Sequence, residues 1–562
     1  MLARRNLRLV RSFVFAALIS GLTGCPNRDT GFDDSRASDT PATGDTGNLA
    51  DTSDDVVDVG AVDTQDAPSG DTGAPRVVDI VIPGDPPITG APGHFAGPDD
   101  PSRAPRIVYP TPGTIVPPNL RGLEVHFTPG SGNSLFEVSF TGGAASVRIF
   151  TRCMMVARGC VLTLDDMAFR AVVDASRPGD EMQLRVRGTT DAAGAAVGSS
   201  APQVFGVADM DLRGGIYYWH VGTGSVYRYE WGLPGAHEEV YLRGDTLLPS
   251  NCVGCHALSR DGRRIAVPRG IPMPTPTRII DVATRGSPTM EFRANFSAFS
   301  PDASRLIVSD GVRLSLVDGN TGLPSTELPA DMVGSHPDWA ADGVHVMFSR
   351  PRFVSPLAGT SHGAPADLML MNYMSGTFTT PTYFIAATTE NNYYPAFSPD
   401  NEWVLWNRAA GPSADAQDSQ LWAIRFDRTG APQRLANAEG RTTTGNSWPK
   451  WAPFLNSYAG EPLLWFTFTT RRDYGFRLEN SARMRDSQIA QLWMAAFRPM
   501  RGRTGDASAS AFYLPFQNAM SGNHIAQWTQ EVRRVICRTD ADCAMGEQCV
   551  ALTTSGQCVG RM

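Results

Sequence analysis

The stretch that decides the fold is residues 296–308, FSAFSPDASRLIV, because its pattern returns along the chain. A short apolar strand is followed by a Ser-Pro-Asp turn and then by a second apolar strand. Five other segments align with it, the last of them weakly: 255–267 (CHALSRDGRRIAV), 336–348 (HPDWAADGVHVMF), 394–406 (YPAFSPDNEWVLW), 448–460 (WPKWAPFLNSYAG) and 524–536 (HIAQWTQEVRRVI). A recurrence of this kind indicates copies of one sheet unit packed side by side.

The core of this repeat, F-S-P-D-G-x-x-[LI]-x-[VF], resembles the WD40-like repeat of TolB-type propellers. The resemblance implies one four-stranded blade per repeat, with the Ser/Pro-Asp-Gly turn after the innermost strand. Six repeat starts predict a six-bladed β-propeller within residues 208–536. Equivalent positions fall at His256, Ser297, Pro337, Pro395, Pro449 and Ala526.

Further strands are expected inside the propeller. The segments 367–373 (DLMLMNY), 420–426 (QLWAIRF) and 491–497 (QLWMAAF) are each expected to end a blade. The last repeat has few residues left to complete its sheet. Residues 214–232, GGIYYWHVGTGSVYRYEWG, precede the first repeat and form a strand pair by pattern. We expect this pair to supply the outer strands of the last blade and so to close the ring without an open edge.

Residues 104–207 form a separate β region. Short segments of alternating apolar and polar residues, among them LFEVSF and MQLRVRG, are separated by turn residues. Several such strands over about a hundred residues predict a sandwich. The opening resembles bacterial immunoglobulin-like domains, which implies a spacer or binding arm. The fold class is therefore all-β, an immunoglobulin-like sandwich followed by a propeller.

The N-terminus is a targeting segment. Basic residues precede a short apolar run, SFVFAALISGL, which ends in Leu22-Thr23-Gly24-Cys25. Leu-x-Gly-Cys resembles a bacterial lipobox, which implies cleavage before Cys25 and its acylation. Residue 26 is Pro rather than Asp, which by analogy with bacterial sorting favours the outer membrane. The alternative is ordinary secretory cleavage with Cys25 left free.

Residues 26–103 are expected to be a linker rich in Asp and Thr. Their first part has almost no large apolar residue, so it cannot offset the entropy of ordering. No loop with calcium-ligand spacing occurs in it. The net charge of −8 and the lack of a basic patch argue against nucleic acid as a partner.

The first repeat begins with a second motif, Cys252-Val253-Gly254-Cys255-His256. Cys-x-x-Cys-His is the attachment signature of haem c, in which both thiols bond to the porphyrin and the His ligates the iron. A redox pair would need a helix N-terminus to lower the thiol pKa, and β-repeats follow here instead. A zinc site lacks a second Cys/His pair nearby. Haem c is the preferred interpretation, and a disulfide or redox pair and a metal site remain as alternatives.

The distal iron ligand is open at this stage. His524 lies two residues before the sixth repeat position, His336 precedes the third, and Met273 follows the motif in a Pro-rich segment. An open coordination position is the fourth possibility, and it would favour ligand or peroxide chemistry over electron transfer.

The other cysteines suit an oxidising compartment. Cys153 and Cys160 are expected to close a hairpin by a disulfide. Four cysteines crowd the C-terminal segment 537–562 and predict a two-disulfide knot, with three possible connectivities and a zinc site as its rival: Cys537, Cys543, Cys549 and Cys558.

The chain contains no H-E-x-x-H motif. Its single G-x-S-x-G match, GTSHG at residues 359–363, is a short pattern that does not by itself indicate a hydrolase. Whether the protein is an enzyme is left undecided. Two functions follow. The first is a lipid-anchored haem c protein of the cell envelope that transfers electrons or senses a redox ligand, with an unidentified envelope or electron-transfer partner. The second is a TolB-like protein-binding scaffold without haem.

Overall fold

The computed structural model describes most of the chain after residue 75. The described residues are 76–176, 181–233, 236–244, 253–268, 274–287, 289–352, 365–413, 416–440, 445–543, 546–551 and 556–560. Cys25, the segment 26–75, Cys252 and Met273 lie outside them. No helix within these ranges is both long enough and apolar enough to span a membrane.

The repeats form six blades, so the predicted all-β class is confirmed. Four of the blades are separate four-stranded sheets, and blades 3 and 4 are joined into one nine-stranded sheet by the parallel pairing of Ala366 with Asn391. Each blade starts at a repeat and runs outward by antiparallel pairing. From inner to outer strand, the first three blades are: blade 1, Ala257–Leu258, Arg264–Pro268, Thr275–Asp281 and Phe292–Ala294; blade 2, Phe296–Phe299, Arg305–Ser309, Leu314–Asp318 and Pro324–Ser325; blade 3, Ser335–Trp339, His345–Pro351, Ala366–Met374 and Thr382–Ile385, with the short strand Thr377–Phe378 beside the third.

The remaining blades follow the same plan, and the sixth takes its outer strands from earlier in the chain. Each of the three segments expected to end a blade is instead its third strand, because a short fourth strand follows it. The blades are: blade 4, Asn391–Phe397, Trp403–Ala409, Gln420–Arg425 and Gln433–Arg434; blade 5, Asn446–Tyr458, Glu461–Thr470, Gln491–Phe497 and Phe512–Tyr513; blade 6, Asn523–Thr529, Gly215–His220, Ser225–Glu230 and Glu239–Leu242.

The ring is closed. Each inner strand contacts the next, and the inner strand of blade 6 contacts that of blade 1. Closure follows from pairing of the C-terminal strand Asn523–Thr529 with Gly215–His220, as the sequence predicted. Pairing within blade 6 therefore joins the two ends of the propeller and leaves no inner edge open.

In blades 1, 2 and 4 the turn after the inner strand is held by its own side chains. Ser300 Oγ donates to Asp302 at 2.6 Å and accepts from the backbone N–H of Arg305 at 3.0 Å. Ser259 and Asp261 make the same bond in blade 1, at 2.7 Å. Short polar side chains that bond to nearby backbone favour such turns. The Ser-x-Asp pattern thus has a local structural function.

The N-terminal domain consists of two packed sheets that share one hydrophobic core. It departs from an all-antiparallel immunoglobulin pattern: two of its strand pairs are parallel, and a ten-residue α-helix, Asp166–Ala175, lies within it. In spatial order, one sheet comprises Arg76–Val81, Ala145–Arg152, Leu135–Thr141, Met182–Thr189 (with Gly198–Ser199 beside it), Gln203–Val207 and Thr114–Val116, and the other comprises Arg106–Tyr109, Glu124–Thr128, Gly159–Thr163 and Met155–Val156.

The linker prediction was wrong for residues 76–103. Arg76–Val81 is a strand that pairs in parallel with Ala145–Arg152, and two 3₁₀ helices follow it. Ile80 and Phe95 are buried. The apolar run from Val77 onward contains enough surface to bury, which the polar residues before it do not.

The sandwich packs directly against the propeller. Its core is continuous with that of blade 5. Glu124 of the sandwich accepts hydrogen bonds from Tyr474 at 2.7 Å and Arg477 at 2.7 Å, both in the loop after the second strand of blade 5. His126 lies 2.8 Å from the same carboxylate. The two domains therefore form one unit joined by a buried charged cluster.

The remaining described elements are short. A three-stranded sheet near the C-terminus comprises Ile536–Cys537, Glu547–Ala551 and Gly556–Gly560. The other described helices have three to six residues: α-helix Ala436–Glu439, and 3₁₀ helices Ala91–Ala96, Pro101–Arg103, Val221–Thr223, Asn480–Ala482, Arg485–Ser487, Arg501–Arg503 and Asp540–Asp542.

Three disulfides are present in the described residues. The predicted bond between Cys153 and Cys160 is confirmed. At the C-terminus, Cys537 pairs with Cys549 and Cys543 pairs with Cys558, a connectivity that the sequence left open.

Candidate functional site at the mouth of the central channel

The residue before each repeat position lines the start of the central channel. In five of the six blades it is a non-glycine residue in the left-handed region, with φ between 48° and 56°. Such a conformation is uncommon, so its recurrence marks a shared feature of this repeat. We call these six residues the mouth ring: Cys255, Phe296, His336, Tyr394, Trp448 and Ile525.

Aromatic side chains fill most of this ring. Tyr394 stacks on Trp448 with ring centroids 4.0 Å apart. His336 contacts both Phe296, at 4.1 Å, and Tyr394, at 4.2 Å. Phe296 of blade 2 also contacts Trp448 of blade 5, with ring centroids 5.8 Å apart. The aromatic contacts therefore cross the channel axis at this end.

Cys255 completes the ring from blade 1. Its side chain packs among Trp219, Trp448 and Ile525 and is half-buried, and it forms no disulfide with the described cysteines. Burial raises the pKa of this thiol to about 12. A buried thiol in this state is a poor nucleophile in the folded protein. The other cysteine of the motif, Cys252, lies outside the described residues.

His256 is buried beside the ring, in the wall of blade 1. Its Nε2 lies 3.3 Å from the backbone oxygen of Tyr217, in the adjacent blade 6. Its Nδ1 is buried and has no hydrogen-bond partner among the described residues. Burial lowers the pKa of His256 to about 4. The imidazole is therefore neutral at physiological pH, which is the form that ligates metals.

The donor atoms of Cys255 and His256 fit a haem, but the small cavity beside them restricts where the porphyrin could lie. A neutral imidazole with one nitrogen near a backbone carbonyl and the other unpartnered is typical of a metal-ligating histidine. The 3.3 Å contact is longer than an ordinary hydrogen bond, so its loss would cost little. The cavity that Cys255 and His256 line is only about 40 Å³, the volume of one or two waters. A porphyrin would have to lie outside it.

The described distal candidates occupy different places. His336 is part of the mouth ring. His524 lies next to Ile525 in the inner strand of blade 6, opposite Trp219, with ring centroids 6.0 Å apart. Burial lowers the pKa of His524 to about 3, so this imidazole is neutral too. No contact within the described part of the chain joins His524 to His256, and Met273 falls outside that part.

Sequence reasoning missed the mouth ring as a set. The repeat alignment places a bulky residue before most repeat positions, and that signal alone could have identified Phe296, Tyr394 and Trp448. The contribution of Trp219 could not be found this way, because it comes from the strand that closes the ring.

Comparison with known proteins gives structural likenesses only. No protein-family model and no curated protein matches the chain. Hydrazine synthase of Kuenenia stuttgartiensis is similar at a TM-score of 0.31 and 12% identity over 47% of this chain and 66% of that one. TolB from Acinetobacter baumannii has a TM-score of 0.36 and 12% identity over 63% of this chain and 80% of that one.

The GH74 enzyme of Niastella koreensis is a third example, with a TM-score of 0.31 and 13% identity over 63% of this chain and 60% of that one. The chain thus spans less than two thirds of the length of the hydrazine synthase and GH74 chains that it matches. At these TM-scores, neither substrate nor partner can be transferred to this protein.

Proposed function

We propose that this protein is a lipid-anchored β-propeller of the bacterial cell envelope that holds a covalently attached haem c at the mouth of its channel. Its role would be electron transfer or the sensing of a redox ligand. The observation that carries the proposal is the placement of Cys255 and His256: both lie at the channel mouth, and the imidazole is neutral with one buried nitrogen unpartnered.

Each residue of the motif has a defined role in this proposal. The thiols of Cys252 and Cys255 would form thioether bonds with the two porphyrin vinyl groups, and His256 would be the proximal ligand. When bound, the haem supplies a one-electron centre, or a ligand site where one coordination position stays open. The low pKa of His256 keeps its lone pair available across the physiological range.

The surrounding residues support that role. The carbonyl of Tyr217 lies 3.3 Å from Nε2 of His256 and is the nearest polar partner of that ring. The aromatic residues Phe296, Tyr394 and Trp448 close the channel behind Cys255. They exclude bulk water from that side, and solvent exposure is one of the factors that set a redox potential.

Export from the cytoplasm is consistent with both the lipid anchor and the haem attachment that we propose. The basic and apolar N-terminal segment and the lipobox at Cys25 are typical of an exported lipoprotein. The three disulfides are expected of an oxidising compartment. Haem attachment at Cys-x-x-Cys-His and lipid anchoring would then take place on the same side of the inner membrane.

A binding scaffold without haem is the second candidate, and one observation favours it. The mouth ring is tightly filled, and the adjoining cavity of about 40 Å³ has no room for a large group. In that case His256 would be a buried core histidine, and the propeller faces would bind an envelope partner.

The two candidates separate by mass spectrometry. The full chain is expressed with a working cytochrome c maturation system, and the peptide spanning residues 252–256 is examined for covalent haem. The proposal expects haem on this peptide in the wild type and none in a Cys252→Ala, Cys255→Ala double variant. A Cys153→Ala, Cys160→Ala variant is the matched control, since it also loses two cysteines but keeps the motif. Unmodified peptide in the wild type would favour the scaffold.

A further inference from the structure

A second ring of residues lies deeper in the channel, two positions after the mouth ring in each inner strand. We call it the second ring: Ala257, Ala298, Asp338, Ala396, Lys450 and Gln527. Three of its members are alanines, and these are buried. Small side chains in three blades leave an internal cavity of about 80 Å³, whereas the aromatic mouth ring fills the channel.

The polar members of the second ring line the cavity, and two of them keep donors or acceptors without a partner among the described residues. Lys450 Nζ lies 3.1 Å from Asp338 Oδ1, and Asp338 Oδ2 accepts from the backbone N–H of Phe397 at 2.9 Å. The carboxylate is therefore satisfied by two donors. The ammonium has three N–H donors and uses one of them. The side chain of Gln527 forms no hydrogen bond with the described residues and also lines the cavity.

Arg260 adds a second cation to the same cavity. Its Nη2 donates to the backbone oxygen of Trp339 at 2.8 Å, and it forms no ion pair with the described residues. Burial lowers the pKa of Arg260, and the carboxylates of Asp338 and Asp342 oppose that shift. The charged residues that line the cavity are Lys450, Arg260 and Asp338, and Asp342 interacts with Arg260 from outside the lining. The lining alone therefore carries one net positive charge, which suits a singly charged anion.

The choice of lysine at this position is unusual for this chain. Lys450 is the only lysine in the sequence, and arginine supplies every other basic residue. An ammonium is a compact point charge with freely rotating donors, whereas a guanidinium is a broad plane. Arginine at position 450 would occupy space that the three alanines leave open. The residue type thus preserves the cavity and still supplies a cation.

We propose that the cavity lined by the second ring and Arg260 is a binding site for a small monocarboxylate. The cations Lys450 and Arg260 and the carboxamide of Gln527 would bind the ion. The cavity has the volume of two or three waters, which suits an acetate-sized ion. Inorganic phosphate carries more charge than the site balances and is expected to bind less well. Lys450 and Gln527 also line the smaller cavity beside Cys255 and His256, so the test uses protein made without haem attachment and its outcome does not depend on the proposed haem.

The single lysine provides a direct test. The full mature chain, with any tag free of lysine, is produced with ¹³C at the lysine Cε, so it gives one Cε signal. Acetate is titrated against chloride at constant ionic strength. We expect a saturable shift of this signal with acetate, a smaller effect with phosphate, and affinity for acetate weakened about tenfold or more in Arg260→Met, since a charge-assisted hydrogen bond is lost. A shift that is linear, equal in chloride, or unchanged in Arg260→Met overturns the proposal.

A second measurement covers the case in which Arg260→Met does not fold. Acetate is expected to raise the Tm of the unlabelled wild type relative to chloride, and to have no such effect on Lys450→Met, because binding to the folded state stabilises it. Lys450→Arg is the matched control for charge, and it too should lose the effect because it fills the cavity. An equal rise of Tm in all three proteins would contradict the site.

Discussion

Trp219 lies directly opposite His524 in the antiparallel pair that closes the propeller. Nearly the whole ring separates these two residues in sequence, and Trp219 also contacts Ile525 and Cys255 at the channel mouth. Ring closure and the candidate site therefore depend on the same strand, Gly215–His220.

Removal of that strand should destroy cooperative folding. A chain that starts at residue 235 exposes the unpaired edge of Asn523–Thr529 and loses the buried Trp219 and Trp231. The matched control starts at residue 208: like the first chain it lacks the sandwich and exposes the core shared with blade 5, but it keeps the closing strands. Thermal unfolding followed by circular dichroism should be broad or absent for the first chain, whereas the second should keep a cooperative transition at a lower Tm than the full chain. Equal, sharp transitions in both would contradict closure by this segment.

Protonation of Glu124, in the cluster between the two domains, should lower the free energy of unfolding in acid. Burial alone would raise the pKa of Glu124, but hydrogen bonds from His126, Arg477 and Tyr474 lower it to about 2 from its ordinary 4.5. A carboxylate whose pKa is lower in the folded state stabilises the fold above its unfolded pKa, and this contribution is lost as pH falls from 4.5 towards 2.

Replacement of Glu124 by Gln should therefore flatten the dependence of unfolding free energy on pH in this window. The difference between wild type and variant should shrink by roughly 2 kcal/mol between neutral pH and pH 2, as denaturant titrations would measure. Glu531→Gln, which removes an exposed carboxylate paired with Arg533, is the control and should leave the slope almost unchanged. A Glu124→Gln slope equal to that of the wild type would show that the cluster contributes nothing.

Acylation of Cys25 gives a prediction that is independent of the haem. Wild-type protein should fractionate with membranes, incorporate a palmitate analogue and show the mass of a lipid-modified Cys25 peptide. Cys25→Ala should lose both the label and the mass. If the variant and the wild type label and fractionate alike, the lipobox interpretation is wrong.

Much of the propeller could be predicted from the sequence because its repeat is local. Ser300 and Asp302 close their own turn, so the motif is visible within a few residues. The strand Arg76–Val81 was missed because its partner, Ala145–Arg152, lies far along the chain and pairs in parallel. The ion pair of Lys450 with Asp338 joins two blades across the channel, and nothing in either local sequence indicates it.

The candidate site could likewise be predicted only where it depends on local sequence. Cys255 and His256 were identifiable from their spacing, whereas their burial depends on residues from other blades. Trp219 and Tyr217 reach the site only through ring closure. The C-terminal connectivity is a similar case, since the pairing of Cys537 with Cys549 follows from the three-stranded sheet.

The distal ligand can be assigned by substitution in the haem-loaded protein. If His524 ligates the iron, His524→Ala should convert a low-spin spectrum to high-spin and allow carbon monoxide to bind, because a strong-field imidazole is lost. His336→Ala, at the mouth ring, is the parallel variant. A spectrum unchanged by both substitutions would exclude these two residues and direct attention to Met273 or an open position.

The central claim is that Cys252, Cys255 and His256 hold a haem c, and the absorption spectrum of the purified full chain tests it most directly. The protein is matured beside a working cytochrome c attachment system, denatured and extracted with acidified acetone. We expect a Soret band that stays with the polypeptide after extraction and is absent from the Cys252→Ala, Cys255→Ala variant. A wild-type protein with no Soret absorption, or with haem that is fully extracted, would contradict it and leave the propeller as a scaffold.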